Sequence, residues 1–312
     1  MSAGTAAVKP VKTKLWREIK ASVWLYIMLL PIFIHMLVFR YGPMYGIQMA
    51  FKNFRIGDGI WGSAWVGLKH FQRLFLSPDF KMILANSVLI NVYLVVFTFP
   101  VPIILALLMN EVRKAVFKRT VQTLMYLPHF VSWVIIGGIL IEMLSPSTGV
   151  INRLLGFAGI SPIYFMADNF WWRVVFVLSS IWKEAGWGTI IYLAAISGVD
   201  TELYEAARID GANRFKQALH VTVPAIMPTV SLLLIMRMAS MMDLGFEHVY
   251  TLMNDYVRRV SEVFSTYTFK MGIERMEFSY TTAIGLFQQI VNFILLMITN
   301  SISRRLGGST ML

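Results

Sequence analysis

Long apolar runs separated by short polar stretches dominate the pattern of this chain. Each run has roughly 20 residues or slightly more, which is the length that an α-helix needs to cross the hydrocarbon core of a bilayer. The runs do not alternate apolar with polar residues, as the strands of a membrane barrel would. The pattern therefore predicts an all-α polytopic membrane protein with six transmembrane helices. The predicted spans are 22–39, 83–109, 121–144, 172–196, 222–246 and 281–302.

The composition supports a membrane protein and limits its chemistry. Of 312 residues, 57% are hydrophobic and 14% are charged, whereas soluble domains carry about 25% charged residues. The chain has no cysteine, which excludes disulfides, thiolate chemistry and cysteine-ligated metals. The net charge of +11 raises the question of nucleic acid, but lysine and arginine held on the cytoplasmic side are the commoner cause in a membrane protein. We therefore expect no nucleic-acid partner.

Basic residues are concentrated in alternate connections, and this pattern predicts the orientation. They cluster in the N-terminal tail, after the second and fourth runs, and at the C-terminus. Because such loops stay in the cytoplasm, both termini and the connection at 200–224 are predicted to be cytoplasmic. The expected domains are a basic, amphipathic N-terminal segment at 1–21, a transmembrane domain at 22–302 and a tail at 303–312. For residues 1–10, a disordered basic tail is an open alternative.

Residue patterns typical of enzymes do not occur in the sequence. The phosphate-binding pattern G-x-x-x-x-G-K-[ST] is missing, so the chain itself is not expected to bind ATP. The five histidines lack metal-ligand spacing such as H-E-x-x-H, and no pair of carboxylates stands close on a loop for acid–base chemistry. We expect a protein that is not an enzyme and that holds no metal or cofactor.

The stretch "EAARIDGANRFKQALHVTVPAIMP" at 205–228 is unusually polar for this chain. Leu203–Asp210 is expected to form two helical turns that end at Gly211, because glycine readily adopts the left-handed conformation that terminates helices. A second short helix, Ala212–His220, would follow before the chain re-enters the membrane at Pro224. This helix–glycine–helix has the form of a docking element for a cytosolic partner. On the pattern alone, an ordinary solvated loop is an equally good interpretation.

The same stretch resembles the coupling-loop signature of permease subunits in bacterial ATP-binding-cassette importers. In that signature E-A-A, three residues, G, nine residues and I-x-L-P follow one another. The spacing matches throughout, and the departures, Val221 and Val223, are conservative in shape. The stretches 39–54 and 149–172 resemble outer regions of sugar permeases related to the maltose system, the first in the variant of the alginate-like polysaccharide group. The matching residues are Glu205-Ala206-Ala207, Gly211 and Val221-Thr222-Val223-Pro224.

This resemblance implies the type I importer permease fold with a cytoplasmic coupling helix, in the cytoplasmic membrane of a bacterium. The implied partners are a second permease subunit, expected to be a different but homologous chain, two cytosolic ATPase subunits and an external solute-binding protein. The ATPases would bind ATP and Mg, and hydrolysis there would drive alternating access for an oligo- or polysaccharide. In relatives, the glutamate at the position of Glu205 pairs with an arginine of the ATPase. The implied coupling residues are Glu205, Ala206, Ala207, Asp210, Gly211 and Pro224.

Polar residues within the apolar runs mark a candidate solute path, because a charged side chain that faces lipid is costly. The fourth run contains "WKEAGWG" at 182–188, which predicts an interruption of that helix at membrane depth. By resemblance to maltose-type relatives, the helices that flank the coupling loop hold the sugar. The candidate path residues are Glu184, Trp187, Arg237, Met241, Gln288 and Asn292.

Structural roles are the alternative for these candidates. Lys183 with Glu184, and Arg237 with Asp243 or a partner subunit, would then form ion pairs that fix helix packing, and the methionines near Arg237 would be packing residues. If Arg237 faces the path, its guanidinium suits the carboxylates of an anionic, uronate-type sugar. For the whole chain, the alternatives are a stand-alone secondary transporter or channel for a small solute, which often uses broken helices, and a non-transporting scaffold.

Overall fold

Helices form the architecture of the chain in the computed structural model, which describes residues 21–305. No β-strand occurs within those residues, in agreement with the predicted all-α fold. The segments predicted at 1–21 and 303–312 lie almost wholly outside the described residues. The α-helices are α1 Val23–Met36, α2 Gly59–Gly62, α3 Lys69–Leu76, α4 Phe80–Tyr93, α5 Pro100–Asn110, α6 Ala115–Tyr126, α7 Trp133–Met143, α8 Val150–Phe157, α9 Asn169–Ser197, α10 Thr201–Ile209, α11 Arg214–Gln217, α12 Val223–Ala239, α13 Phe246–Leu252, α14 Arg258–Ser261, α15 Phe264–Phe269 and α16 Phe278–Arg305. Gly42–Phe51 and Leu127–Phe130 are 3-10 helices, and Leu37–Tyr41, Leu94–Thr98, Ala218–Thr222 and Lys270–Glu274 are π-helical turns.

Five helical stretches are long and apolar enough to cross a membrane, and one bent pair of helices raises the number to six. This number agrees with the six predicted spans. In chain order we call them spans 1 to 6: Val23–Phe51, Phe80–Asn110, the bent pair Ala115–Phe130 and Trp133–Met143, Asn169–Ser197, Arg214–Ala239 and Phe278–Arg304.

Span 3, predicted at 121–144, is sharply bent. Its two halves meet at 97°. Pro128 opens the 3-10 helix between them, and its ring removes a donor from the helical hydrogen-bond ladder. Ser132 then begins α7 by accepting a hydrogen bond from the Ile135 amide. The bend leaves carbonyl groups without helical partners, so other elements must satisfy them.

Span 4 is one unbroken helix, which contradicts the interruption predicted at 182–188. The glycines that suggested a break instead allow neighbouring helices to approach closely. A Cβ added to Gly186 would overlap the backbone of Met125, and one added to Gly188 would lie 2.9 Å from the Pro102 ring. Small residues commonly serve this purpose between membrane helices.

Span 5 begins inside the polar stretch at 205–228 that is predicted to be cytoplasmic. Its helix runs continuously from Arg214 through the π-helical turn Ala218–Thr222 to Ala239, so the separate second helix predicted at 212–220 is the start of this span. Pro224 is the second residue of α12, directly after the wider turn. A proline is tolerated there, because the π-helical turn has already interrupted the regular hydrogen-bond ladder.

The end of span 5 lies at Ala239 and not at the predicted 246, because the chain unwinds against span 6. Asn292 accepts a hydrogen bond from the Met242 amide at 2.8 Å, and Gln288 donates to the Met242 carbonyl at 3.2 Å. These side chains satisfy backbone groups that would otherwise need helical partners. Non-helical backbone at membrane depth requires such partners.

The segment between spans 5 and 6 is packed into the interior of the protein. Its helix α13 lies against α7 and buries Val249 and Leu252. Trp172 of span 4 donates its indole N–H to the Leu252 carbonyl at 2.9 Å. Asn86 of span 2 donates to the Glu262 carbonyl at 3.0 Å. Spans 2 and 4 and this segment therefore form a continuous core.

Span 1 differs from the other spans in its packing. All 14 residues of α1 are exposed in the described part of the chain. Because none of its faces is buried against the other described helices, this apolar helix is suited to contact lipid or another membrane subunit.

Candidate functional site

The candidate coupling loop is a short helix that ends in a glycine turn. Helix α10 begins two residues earlier than predicted and ends before Gly211, whose φ is +77°. The Gly211 amide donates to the Arg208 carbonyl at 3.1 Å, and the Ala212 amide donates to the Ala207 carbonyl at 2.9 Å. These two bonds are the Schellman pattern of a helix end. The glycine is therefore required by the backbone conformation, as the sequence predicts.

Two side-chain contacts attach this loop to the membrane domain. The hydroxyl of Tyr204 in α10 lies 2.9 Å from the hydroxyl of Thr222 in the π-helical turn. Arg214, at the start of span 5, forms an ion pair with Glu111, directly after span 2. The loop therefore has a defined position relative to the end of span 2 and the start of span 5.

The outer face of the loop combines charge with exposed apolar side chains. The side chains of Ile209 and Phe215 are 87% and 76% exposed. Among the described residues, no ion pair involves the exposed carboxylate of Glu205. Isolated exposed apolar residues are common, but two on one small projection beside a free carboxylate suit a protein partner. Of the other implied coupling residues, Ala207 is half-buried, and Ala206, Asp210, Gly211 and Pro224 are exposed.

A cavity of about 560 Å³ lies between spans 2, 4 and 5 and the start of α7. This volume is in the range of ordinary small-molecule sites. Three of the six predicted path residues, Glu184, Trp187 and Arg237, line it. Within residues 21–305, no group of three or more histidine, aspartate or glutamate side chains is placed to hold a metal ion.

One wall of the cavity carries a carboxylate beside an aromatic surface. The ring of Trp187 stacks on that of His129, with centroids 4.7 Å apart and planes inclined by 4°. Nδ1 of His129 lies 3.7 Å from the Glu184 carboxylate. The indole of Trp187 is 44% exposed, so part of it remains free to contact a ligand.

A second wall is a stack of aromatic rings. The ring of His248 lies between those of Trp133 and Phe176, at centroid distances of 3.5 and 3.8 Å. Nε2 of His248 lies 3.1 Å from the Ser179 hydroxyl. Phe176 and His248 are buried, and each ring covers a face of its neighbour, so the stack fixes the shape of this wall.

Arg237 supplies positive charge to the cavity. Its Nη2 donates to Oδ1 of Asn91 in span 2 at 3.3 Å. The predicted alternative, an ion pair with Asp243, is not formed, because Asp243 accepts a hydrogen bond from Asn292 at 3.0 Å. Among the described residues, the guanidinium has no ion-pair partner.

The other three predicted path residues lie away from the cavity lining. Met241 is buried. Gln288 and Asn292, four residues apart on span 6, hold the unwound chain at Met242. Their contacts are those of residues that stabilise the fold.

Comparison with known proteins identifies the class of protein. Residues 98–308 match the family described as "Binding-protein-dependent transport system inner membrane component". The chain belongs to this family. It is therefore a transport component and, with its apolar helices, a multi-pass protein of the inner membrane.

Relatives of this permease include sugar transport proteins. It is 48% identical to the polygalacturonan/rhamnogalacturonan transport system permease protein YteP of Bacillus subtilis (strain 168), over 91% of this chain and 88% of the relative. It is 46% identical to protein LplB of the same organism, over 92% and 90% of the two chains.

A solved structure resembles nearly the whole permease. It is the crystal structure of a bacterial ABC transporter involved in the import of the acidic polysaccharide alginate. The TM-score is 0.86 and the identity 39%, over 94% of this chain and 99% of that chain. A second structure of the alginate transporter, in complex with an alginate pentasaccharide-bound periplasmic protein, matches with the same TM-score.

Lys183 of the permease has a structural role, as in the predicted alternative, but its partners are backbone carbonyls and not Glu184. Its ammonium donates to the carbonyls of His129 and Val131 at 2.7 and 2.6 Å, and the Pro128 carbonyl lies 3.5 Å away. The His129 and Val131 carbonyls lie at the bend of span 3, where the helical ladder is interrupted. The buried lysine therefore joins span 4 to the bend and does not pair with Glu184.

Replacing Lys183 with methionine is expected to lower the free energy of unfolding by about 2–4 kcal/mol, because the buried carbonyls lose their donor while the apolar volume is kept. The measurement is thermal unfolding of the permease in detergent. Lys81→Met, which removes an exposed lysine at the start of span 2, serves as the control. Equal melting temperatures for the two variants would contradict this role of Lys183.

Asn91 and His129 are not among the six predicted path residues, and they lie behind the cavity lining, where they contact Arg237 and Trp187. Asn91 is recognisable in the sequence as a polar residue within an apolar run, where an unpaired amide is costly. For His129, the neighbouring Pro128 indicated a kink, but its stacking on Trp187 depends on the angle of the bend.

Proposed function

We propose that the chain is one of two permease subunits of an ATP-driven importer for oligo- or polysaccharides that carry carboxylate groups. The second subunit is a different, homologous chain. Two cytosolic ATPase subunits bind ATP and Mg and dock on the loop at 200–224, and an external binding protein delivers the sugar. The protein lies in the cytoplasmic membrane of a bacterium with both termini in the cytoplasm.

The observation that supports an acidic substrate is the guanidinium of Arg237, which lines the cavity without an ion pair among the described residues. Glu184 of the same cavity attracts this guanidinium only from beyond ion-pair distance. An arginine in a membrane domain without a directly paired carboxylate is costly, and a carboxylate of the substrate would offset this cost. Two relatives point to the same chemistry. One is named for polygalacturonan and rhamnogalacturonan, which contain galacturonate, and the other for alginate, an acidic polysaccharide.

The coupling role rests on a different part of the molecule. Glu205, Ile209 and Phe215 form an exposed projection at the cytoplasmic end of span 5, and Arg214 connects it to span 2. An ATPase that contacts this projection would move both spans together. In this mechanism the cavity opens alternately to the two sides of the membrane as the ATPases close and separate.

The proposal is tested by purifying the permease from its native membrane with its partners and placing the complex in proteoliposomes. We expect ATP-dependent uptake of uronate oligosaccharides that requires the binding protein. Uptake by the permease alone, without ATP, would instead favour a stand-alone carrier. ATP-dependent uptake restricted to uncharged sugars would contradict the acidic substrate but not the importer.

A further inference from the structure

Neither carboxylate of the cavity lining forms an ion pair with Arg237 among the described residues, although Glu184 attracts the guanidinium from beyond ion-pair distance. Glu184 faces His129, with 3.7 Å between its carboxylate and the histidine Nδ1. Asp243 accepts a hydrogen bond from Asn292 of span 6. The one hydrogen-bond partner of the guanidinium among the described residues is the uncharged amide of Asn91.

Asn91 is itself held in one orientation. Its side chain is fully buried, and its Nδ2 donates to the Ser87 carbonyl one turn earlier in span 2 at 3.0 Å. Because the amide nitrogen is engaged there, the amide oxygen must face the other way, where it accepts from Nη2 of Arg237. The asparagine therefore fixes the position of the guanidinium without neutralising it.

An uncharged partner and a charged one at this position would have opposite effects on ligand binding. A neutral amide satisfies one of the five donors of an arginine and leaves the rest for a second, bidentate acceptor. A carboxylate at the same place would form an internal ion pair, and an acidic ligand would have to compete with it. The identity of residue 91 thus decides whether the charge of Arg237 is free.

We propose that Asn91 is a specificity-determining positioning residue, which holds the Arg237 guanidinium in the cavity for a carboxylate of the transported sugar. This inference rests on the proposed import of acidic oligosaccharides and adds the residues that recognise the acid group. Arg237 contacts the carboxylate, and Asn91 acts through Arg237.

The test compares two substrates that differ in charge alone, a uronate oligosaccharide and its methyl ester of the same length. Uptake is measured in proteoliposomes that contain the full complex, with binding protein saturated by each sugar and its affinity for each sugar measured separately. The readout is the ratio of kcat/KM for the acid to that for the ester. Wild-type uptake of the acid tests the proposed function, and the change of this ratio in variants tests the present inference.

Asn91→Asp is expected to lower the acid-to-ester ratio by about ten-fold or more, mainly through KM for the acid, since one charge-assisted hydrogen bond to the ligand is lost to the new carboxylate. Asn91→Leu, similar in volume but uncharged, should lower the ratio less, because the guanidinium keeps its charge and loses its orientation. Arg237→Gln should remove the preference for the acid, and Arg237→Lys should retain part of it.

An Asn91→Asp complex that assembles and keeps the wild-type ratio would overturn the inference. So would an equal loss of uptake for both substrates in Arg237→Gln, accompanied by loss of the second permease on size-exclusion chromatography. That result would assign Arg237 to an ion pair with the partner subunit. If the wild-type complex imports the ester and rejects the acid, the proposed substrate class fails, and the inference fails with it.

Discussion

Replacing Gly186 with alanine is expected to prevent the permease from reaching its native packing. The added methyl group would overlap the carbonyl carbon and oxygen of Met125 in span 3. These atoms are backbone, so no side-chain rotation relieves the overlap. Lys183, one turn away on the same helix, holds the adjoining bend through its carbonyls, and the two helices cannot separate without breaking those bonds.

The expected loss is above about 3 kcal/mol, at the severe end for a single substitution, because overpacking and broken hydrogen bonds occur together. Fluorescence-detected size-exclusion chromatography and thermal unfolding in detergent measure it. Gly138→Ala in α7 is the matched control, since a Cβ there meets no atom within 4 Å. A Gly186→Ala protein with the elution profile and melting temperature of the wild type would show that the helices are not in close contact.

Replacing Gly211 with valine is expected to lower ATP-driven uptake strongly while the membrane domain remains folded. The φ of +77° is strained for any residue with a Cβ and most for a β-branched one, at about 1–2 kcal/mol or more. The helix end would shift, and Glu205 would lose its position relative to Phe215 on the exposed face. Because the loop is exposed, the fold itself should tolerate the change.

Two measurements separate coupling from folding in this variant. Uptake should fall by about ten-fold or more, as expected when a rigid contact of 1.4 kcal/mol or more is lost, while the melting temperature of the permease stays near that of the wild type. Gly198→Ala is the control: this glycine follows span 4 with an ordinary φ of −88°, and its added Cβ would have normal contact with the Ala195 carbonyl. Normal uptake by the Gly211→Val complex would remove the loop from the coupling mechanism.

The sequence predicts those parts of this fold that depend on local composition. Apolar length places all six spans, and the conformational freedom of glycine places the end of α10 at Gly211. The errors arise where contacts between distant residues decide the backbone. The unwinding after Ala239 depends on Asn292, some fifty positions later, and the continuity of span 4 depends on the backbone of span 3 filling the space beside Gly186.

The candidate cavity was predictable to a similar extent. Glu184, Trp187 and Arg237 stand out as polar residues in apolar helices, and all three line it. Gln288 and Asn292 stand out in the same way but stabilise the unwound chain, because a buried amide serves a backbone group as well as a ligand. Composition alone does not separate these two uses of a polar residue. To distinguish the two uses, one must know which atoms lie within hydrogen-bond distance of the side chain.

The continuity of span 5 also has a mechanical consequence. Its 26 residues extend about 39 Å at a rise of 1.5 Å per residue. The helix begins beside the exposed projection and carries Arg237 near its far end. A tilt of only about 5° at its first turn would displace the guanidinium by about 3 Å, roughly the length of one hydrogen bond. A small rotation of this helix would therefore be sufficient to break the proposed contact between Arg237 and a carboxylate of the sugar.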